Sequence, residues 1–196
     1  DGKVTAKAVG TVTITATANN GKAGSATVKV NPIEVTSVTV TPASTELTIG
    51  STAQLTATVA PANATVKAVI WSSSDTSVAT VDANGNVTAK AVGTVTITAT
   101  ANNGKAGSAT VKVNPIEVTS VTVTPANTEL TIGGTAQLTA TVAPANATVK
   151  TVTWSSSDTS VATVDADGNV TAKTIGTVTI TATANNGKTG SATVTV

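Results

Sequence analysis

The chain contains no cysteine, histidine, methionine, phenylalanine or tyrosine, and all eleven of its basic residues are lysines. Without cysteine, neither a disulfide framework nor a thiolate metal site can form. Without histidine, the most common general base and the most common transition-metal ligand are both missing. These absences argue against most enzyme classes, and we expect no catalytic residues and no cofactor.

The charge pattern argues against two classes of partner. The net charge is +1 and the lysines are scattered, so no basic stripe is available to follow a nucleic-acid backbone. No run of about 18 apolar residues occurs, so no segment is typical of a transmembrane helix. We therefore expect no nucleic-acid partner and no membrane span in this segment.

What the sequence does contain is a repeat with a period of 83 residues. Residues 31–113 align with residues 114–196 without a gap and differ at nine positions. Residues 1–30 match residues 84–113 at all but two positions. We predict three segments: the C-terminal part of an incomplete repeat (1–30), followed by two whole repeats (31–113 and 114–196). The nine differences are Ser44/Asn127, Ser51/Gly134, Ala68/Thr151, Ile70/Thr153, Asn84/Asp167, Ala91/Thr174, Val92/Ile175, Ala106/Thr189 and Lys112/Thr195.

Residues 1–30 contain only the last strands of a repeat and lack a counterpart of Trp71. Alone, such a fragment would expose an apolar face and unpaired strand edges. Two explanations stay open. The missing strands lie upstream in the same polypeptide, or another chain supplies them by strand complementation. The first is favoured, because the two whole repeats have no strands to spare.

Apolar and polar residues alternate along each repeat, which predicts half-buried β-strands. In the segment 93–101, Val95, Ile97, Ala99 and Ala101 fall on one face and threonines fall on the other. This alternation predicts seven or eight short strands per repeat. In the segment 53–59, Ala53, Leu55, Ala57 and Val59 are expected to share one face.

Differences between the repeats support this assignment of faces. Ile70/Thr153, Ala68/Thr151 and Lys112/Thr195 all lie on the face that the alternation assigns to solvent. A buried position would not readily exchange isoleucine for threonine, because a buried hydroxyl needs a hydrogen-bond partner.

Turn signals separate the predicted strands. Asn84-Gly85 and Asn103-Gly104 each lie between two strand patterns and predict hairpins with type I′ turns. Many short antiparallel strands without a helical pattern predict an all-β fold, namely tandem immunoglobulin-like β-sandwiches in a linear array. Trp71 and Trp154 are the largest apolar side chains, and we expect them in the core, at the centre between the two sheets.

The motifs within each repeat resemble those of the bacterial immunoglobulin-like domain, group 2 family. In residues 31–113 they read VTVTP, LTIG, QLTATVAP, WSSSDTSVATVD, GNVTAKAVGTVTITAT and ATVKV. The resemblance covers both whole repeats, and residues 1–30 resemble the C-terminal third of the family domain. It implies a small sandwich used in tandem as a spacer in bacterial surface proteins, such as adhesins, or in phage virion proteins. The family is not known for catalysis.

Three groups of side chains are of the types found in metal sites, catalytic sites or covalent cross-links. Asp165, Asp167 and Asn169 place oxygen atoms at alternate positions, as in a Ca²⁺ loop, although no glutamate follows at the twelfth position and a plain hairpin turn is favoured. The serine runs 72–74 and 155–157 lack a general base, so a polar loop is favoured over a nucleophile.

A third group of candidates is formed by the lysines of the recurrent VTAK segment, Lys7, Lys90 and Lys173. Some bacterial immunoglobulin-like domains carry Lys–Asn isopeptide cross-links, which require a buried lysine. The alternation places Lys90 on the polar face, so a solvated lysine is favoured.

We expect an extracellular or cell-surface bacterial protein, or a phage virion protein, in which these repeats form a stalk, spacer or fibre body. Its partners would be neighbouring repeats or identical chains, and a host or surface ligand would be bound by a domain outside this segment. The alternative is an adhesive or decoration module that binds glycan or protein.

Overall fold

The computed structural model describes residues 2–196, which form twenty β-strands and no helix. None of these residues therefore belongs to a helix long and apolar enough to cross a membrane. The chain divides into two compact units, Asp1–Val113 and Asn114–Val196. The absence of helices confirms the all-β prediction.

The first unit contains a hairpin and one complete repeat. The hairpin consists of β1 (Gly10–Thr17) and β2 (Ala23–Val30). The strands of the complete repeat are β3 (Ser37–Thr41), β4 (Ser44–Thr48), β5 (Thr52–Gln54), β6 (Thr56–Ala60), β7 (Val69–Ser73), β8 (Ala79–Val81), β9 (Asn86–Ala89), β10 (Gly93–Ala101) and β11 (Ala106–Asn114).

The second unit repeats this order of strands. Its strands are β12 (Ser120–Thr124), β13 (Asn127–Glu129), β14 (Thr135–Gln137), β15 (Thr139–Ala143), β16 (Val152–Ser156), β17 (Ala162–Val164), β18 (Asn169–Ala172), β19 (Thr177–Ala184) and β20 (Thr189–Thr195).

Each complete repeat is a two-layer sandwich. In the first repeat one layer is a four-stranded sheet with the order β4-β11-β10-β7, and the other comprises the pairs β3-β6 and β5-β9-β8. The second repeat has the same topology, with β13-β20-β19-β16 opposite β12-β15 and β14-β18-β17. In each repeat the apolar side chains of both layers form one core cluster.

The alternation of residues along β10 decides what enters the first core. Val95, Ile97, Ala99 and Ala101 are all buried, as predicted. Burying a valine or isoleucine side chain stabilises the fold by about 1.5–3 kcal/mol. On the opposite face of the same sheet, Ile70 of the neighbouring strand β7 is 77% exposed. The face that the sequence differences assigned to solvent is therefore confirmed.

Residues 53–59, whose apolar side chains share a face, are divided between two strands. The chain leaves one pairing partner for another at Leu55: β5 pairs with β9, whereas β6 pairs with β3. The Leu55 side chain is fully buried and its N–H donates to the carbonyl oxygen of Gly85 at 2.9 Å. Because the alternation of faces continues through the break, the sequence pattern does not reveal it, and each repeat has nine strands.

The predicted type I′ turns are also wrong. A type I′ turn needs positive φ at both central residues, but no described residue other than glycine has positive φ. The Gly85 N–H instead donates to Asp82 O at 3.1 Å, and the Asp82 N–H donates to Asn86 O at 3.0 Å. This geometry is a type I turn followed by a glycine at φ +85°, which forms a bulge.

Candidate functional site

The turn that carries the candidate calcium ligands is closed by its own hydrogen bonds. Asp165 Oδ1 accepts from the backbone N–H groups of Asp167 at 2.9 Å and Asn169 at 2.8 Å, and Asp165 Oδ2 accepts from Asn169 Nδ2 at 2.9 Å. The side-chain hydrogen bond from Asn169, followed by the backbone N–H of Asn169, lowers the pKa of Asp165. The carboxylate therefore stabilises a turn.

The equivalent turn of the first repeat has the same arrangement. Asp82 accepts from the backbone N–H groups of Asn84 and Asn86 and from Asn86 Nδ2. Its pKa is lowered, chiefly by the side-chain hydrogen bond from Asn86. Within residues 2–196, no group of three or more acidic, histidine or cysteine side chains is placed to hold a metal ion.

The serine runs are also held by structural hydrogen bonds. Ser73 Oγ donates to the carbonyl oxygen of Asp75 at 3.1 Å, and Ser74 Oγ accepts from the Thr96 N–H at 3.0 Å. The Asp75 carboxylate accepts from the Ser77 hydroxyl at 2.6 Å, and this hydrogen bond is the main reason that the pKa of Asp75 is lowered. The arrangement fixes a loop, and its carboxylate is hydrogen-bonded to Ser77, which lies outside the serine run 72–74.

The VTAK lysines lie at the surface. Lys7, Lys90 and Lys173 are all exposed. Lys173 Nζ donates to the carbonyl oxygen of Thr159 at 3.2 Å. Their exposure is the environment of ordinary solvated lysines, and it does not provide the buried setting that an isopeptide cross-link requires.

The tryptophans contact the cores but do not fill their centres. Trp71 and Trp154 are partly buried and pack against their respective clusters. The fully buried positions belong to smaller side chains, such as Leu55 and Ile97 in the first repeat. The indole of Trp154 instead reaches the turn at Gly168, where a Cβ atom would lie 2.9 Å from Cζ2.

Beside Trp154 the second repeat has an open depression of about 350 Å³. No hydrogen bond joins the Trp154 indole N–H to another described residue. The only buried side-chain polar atom without a partner among those residues is Thr128 Oγ1, so the indole N–H meets solvent. The lining of the depression combines apolar and polar residues and includes Leu138, Ala140, Val152, Gln137, Thr151 and Asp167.

Sequence reasoning missed this depression. The sequence predicts Trp154 at the centre of the core, and the Ala68/Thr151 difference indicates only a solvent-facing position. The available signal was that two of the nine differences between the repeats, at positions 151 and 167, add a hydroxyl and a carboxylate close to a tryptophan.

A second unusual surface is the apolar face of the β1–β2 hairpin. Its register, from Gly10↔Val30 to Thr17↔Ala23, reproduces that of β10–β11, from Gly93↔Val113 to Thr100↔Ala106. The same side chains have different surroundings, since Ile14 is 40% exposed whereas its counterpart Ile97 is 0% exposed. The hairpin is thus formed but uncovered.

Comparison with known proteins finds relatives of this chain in a phage and in a bacterium. It is 45% identical over 170 residues to an Ig-like virion protein of Serratia phage KSP90, an alignment that covers 84% of this chain and 66% of the relative. It is 43% identical over 155 residues to an uncharacterized protein of Clostridium acetobutylicum, with 78% and 16% covered. A crystal structure of domains 4 and 5 of the S-layer protein SbsC aligns at 21% identity over 83% of this chain and 98% of that chain, with a TM-score of 0.41.

This chain therefore spans only part of the length of these two sequence relatives, 66% of one and 16% of the other. The family profile described as the bacterial Ig-like domain (group 2) matches it twice, at residues 34–113 and at residues 117–196. These matches cover most of the chain and agree with the motifs read from its sequence. The chain belongs to the bacterial Ig-like domain (group 2) family.

Proposed function

We propose that this chain is a structural segment, namely part of a stalk, spacer or fibre body built from tandem Ig-like repeats. The observation that carries the proposal is that each complete repeat closes its own core with equivalent residues. Leu55 and Ile97 are fully buried in the first repeat, and Leu138 and Ile180 are fully buried in the second. Repeats that are stable as units can be added in series without new chemistry.

We propose that the chain is located outside a bacterial cell, at the cell surface, or in a phage virion. The name of the phage relative, an Ig-like virion protein, supports this location. We propose no catalytic role, because the serines and carboxylates described above are used in structural hydrogen bonds.

We further propose that residues 1–30 are the C-terminal part of another repeat, ahead of whole repeats at 31–113 and 114–196. In the complete first repeat, β10 pairs with β7, and β11 pairs with β4. Within the part of the chain that the structure describes, the corresponding edges of β1 and β2 have no partner strand, because these two strands form a two-stranded sheet. A segment with the sequence of residues 31–83 carries the strands that cover this hairpin's counterpart.

A complementation experiment tests this assignment. A separately produced polypeptide of residues 31–83 is added to the full chain, and the amide protection of residues 10–30 is followed by hydrogen exchange. We expect the hairpin amides to become protected in a 1:1 complex. Ile14→Asp should abolish this protection, whereas Thr13→Asp, on the other face of β1, should leave it intact. Unchanged protection of the unsubstituted chain would contradict the assignment.

The structural function has its own test. Chains with increasing numbers of the 83-residue repeat are compared by small-angle X-ray scattering. A spacer should show a constant increase in maximum dimension with each added repeat. Maximum dimensions that do not grow with repeat number would contradict a spacer role.

A second candidate function is an adhesive or decoration module that binds glycan or protein. One observation favours it: the open depression beside Trp154, where an aromatic side chain meets solvent together with polar groups. Small-molecule sites commonly combine apolar walls with a few polar groups in this way.

A further inference from the structure

We propose that the depression at Trp154 is a binding site for a neutral pyranose sugar, and that the equivalent position of the first repeat binds the same sugar much more weakly. The inference deepens the second candidate function, and it does not depend on the structural function of the array.

The shape of the depression suits a ligand of this size. Its volume of about 350 Å³ lies near the lower end of the range for small-molecule sites, roughly 300–1,000 Å³. Ala140 and Val152, which are partly buried, supply apolar surface, and the partly buried indole of Trp154 adds an aromatic surface, whereas Leu138 is fully buried. A pyranose ring has apolar C–H faces as well as hydroxyl groups, so it can contact such a surface while its hydroxyls meet the polar side chains of the lining.

The hydrogen-bonding groups of the lining match hydroxyl groups. The Trp154 indole N–H is a donor without a protein partner among the described residues. The Asp167 carboxylate is an acceptor, and the Thr151 hydroxyl can act as either. Gln137 Nε2 is already committed to the carbonyl oxygens of Leu138 at 2.8 Å and Asp167 at 2.7 Å, which fixes the side chain and leaves Oε1 as a further acceptor.

The charge of the lining selects against other ligands. Asp167 is the only charged residue that lines the depression, and no lysine lies there. A phosphate, sulfate or carboxylate group would be repelled by this carboxylate. A neutral ligand with several hydroxyl groups can instead donate hydrogen bonds to it, and bonds to a charged acceptor are stronger than those between neutral groups.

The first repeat has the same glutamine hydrogen bonds but different side chains at two of the lining positions. Gln54 Nε2 donates to the carbonyl oxygens of Leu55 at 2.7 Å and Asn84 at 2.8 Å, just as Gln137 does in the second repeat. However, Ala68 stands where the second repeat has Thr151, and Asn84 stands where it has Asp167. The first repeat therefore lacks the hydroxyl and the charged acceptor, and it serves as an internal control within one molecule.

The test uses the two indole N–H signals of the full chain, one from each tryptophan, in ¹⁵N-resolved NMR spectra. The probes are the methyl glycosides of glucose, galactose, mannose and N-acetylglucosamine. For at least one of these, we expect the Trp154 signal to shift with a dissociation constant on the order of 1 mM, because an open site buries only part of a small ligand. The Trp71 signal should shift little over the same range.

Two double variants exchange the chemistry of the repeats. Thr151→Ala with Asp167→Asn gives the second repeat the residues of the first, which already folds with them, and should weaken binding about tenfold. Ala68→Thr with Asn84→Asp should make the Trp71 signal respond to the same sugar. Equal shifts of both signals in the unsubstituted chain, or no shift with any probe at about 50 mM, well above the expected dissociation constant, would overturn the proposal.

Discussion

Gly168 lies directly against the indole ring of Trp154, and the same contact joins Gly85 to Trp71. A Cβ atom at position 168 would lie 2.9 Å from Trp154 Cζ2 and 2.5 Å from Leu138 O. The backbone of Gly168 also has φ +85°, a conformation that other residues adopt with strain. This glycine therefore joins the turn after β17 to the partly buried tryptophan.

Gly168→Ala should lower the free energy of unfolding of the second repeat by about 3 kcal/mol, because backbone strain and a steric clash add. Gly187→Ala is the matched control: its φ is +81°, but nothing lies within 4 Å of an added Cβ. This control should lower the free energy of unfolding by only about 1 kcal/mol. Urea unfolding followed by tryptophan fluorescence measures the free energy of unfolding of both variants. Equal losses of stability would show that the indole contact is unimportant.

Two isoleucines of the first repeat test the assignment of faces. Ile97→Thr should destabilise the repeat by about 3 kcal/mol, because it removes buried methyl groups and buries a hydroxyl. Ile70→Thr should change the stability by less than about 0.5 kcal/mol, since Ile70 is 77% exposed and Thr153 already occupies the equivalent position. Similar losses in the two variants, measured by chemical denaturation, would contradict the register.

The stability of both repeats should decrease at acid pH. Asp75, Asp82, Asp158 and Asp165 all have lowered pKa values, each chiefly because of a side-chain hydrogen bond. A lowered pKa contributes stability that is complete above the pKa of the unfolded chain, about 3.9, and is lost as pH falls through the folded value.

Thermal unfolding between about pH 2 and pH 6, a range that brackets the unfolded-state pKa, measures this dependence. A variant with both Asp82→Asn and Asp165→Asn removes two of the four carboxylates and should show a smaller decrease at acid pH than the unsubstituted chain. An unchanged decrease would assign the acid sensitivity to other groups.

The hairpin allows two segments of identical sequence to be compared in different surroundings. Residues 10–30 are identical to residues 93–113, but the first set forms a two-stranded sheet and the second lies within a four-stranded one. Amides of β1 and β2 should exchange at least about tenfold faster than those of β10 and β11, a factor that corresponds to about 1.4 kcal/mol of opening free energy. Equal exchange at low protein concentration would contradict an uncovered hairpin.

The sequence predicts most of the fold, because burial follows a strict period of two in strands such as β10. It does not predict the break at Leu55, since β5 and β6 keep the same alternation while pairing with different strands. It also mispredicts the Asn84-Gly85 turn. The favoured pairing of Asn-Gly with type I′ turns is overridden here by Asp82, whose carboxylate holds the backbone N–H groups of Asn84 and Asn86.

The candidate site was less predictable than the fold. The position of Trp154 depends on which side chains fill the sandwich from both layers, and the alternation of one strand contains no information about that choice. Leu138 and Ile180 occupy the fully buried positions, so the larger indole is displaced towards the turn at Gly168. The repeat differences at Thr151 and Asp167 gain meaning only after this displacement is known.

The burial of the leucines has a consequence for proteolysis. Leu47, Leu55 and Leu138 are buried, both tryptophans are partly buried, and phenylalanine and tyrosine are absent. A protease that cleaves after leucine or aromatic residues therefore finds few of its preferred positions at the surface of the folded repeats. Lysines between strands, such as Lys67 and Lys105, are exposed, so digestion of the folded chain should begin with lysine-specific enzymes at such loops.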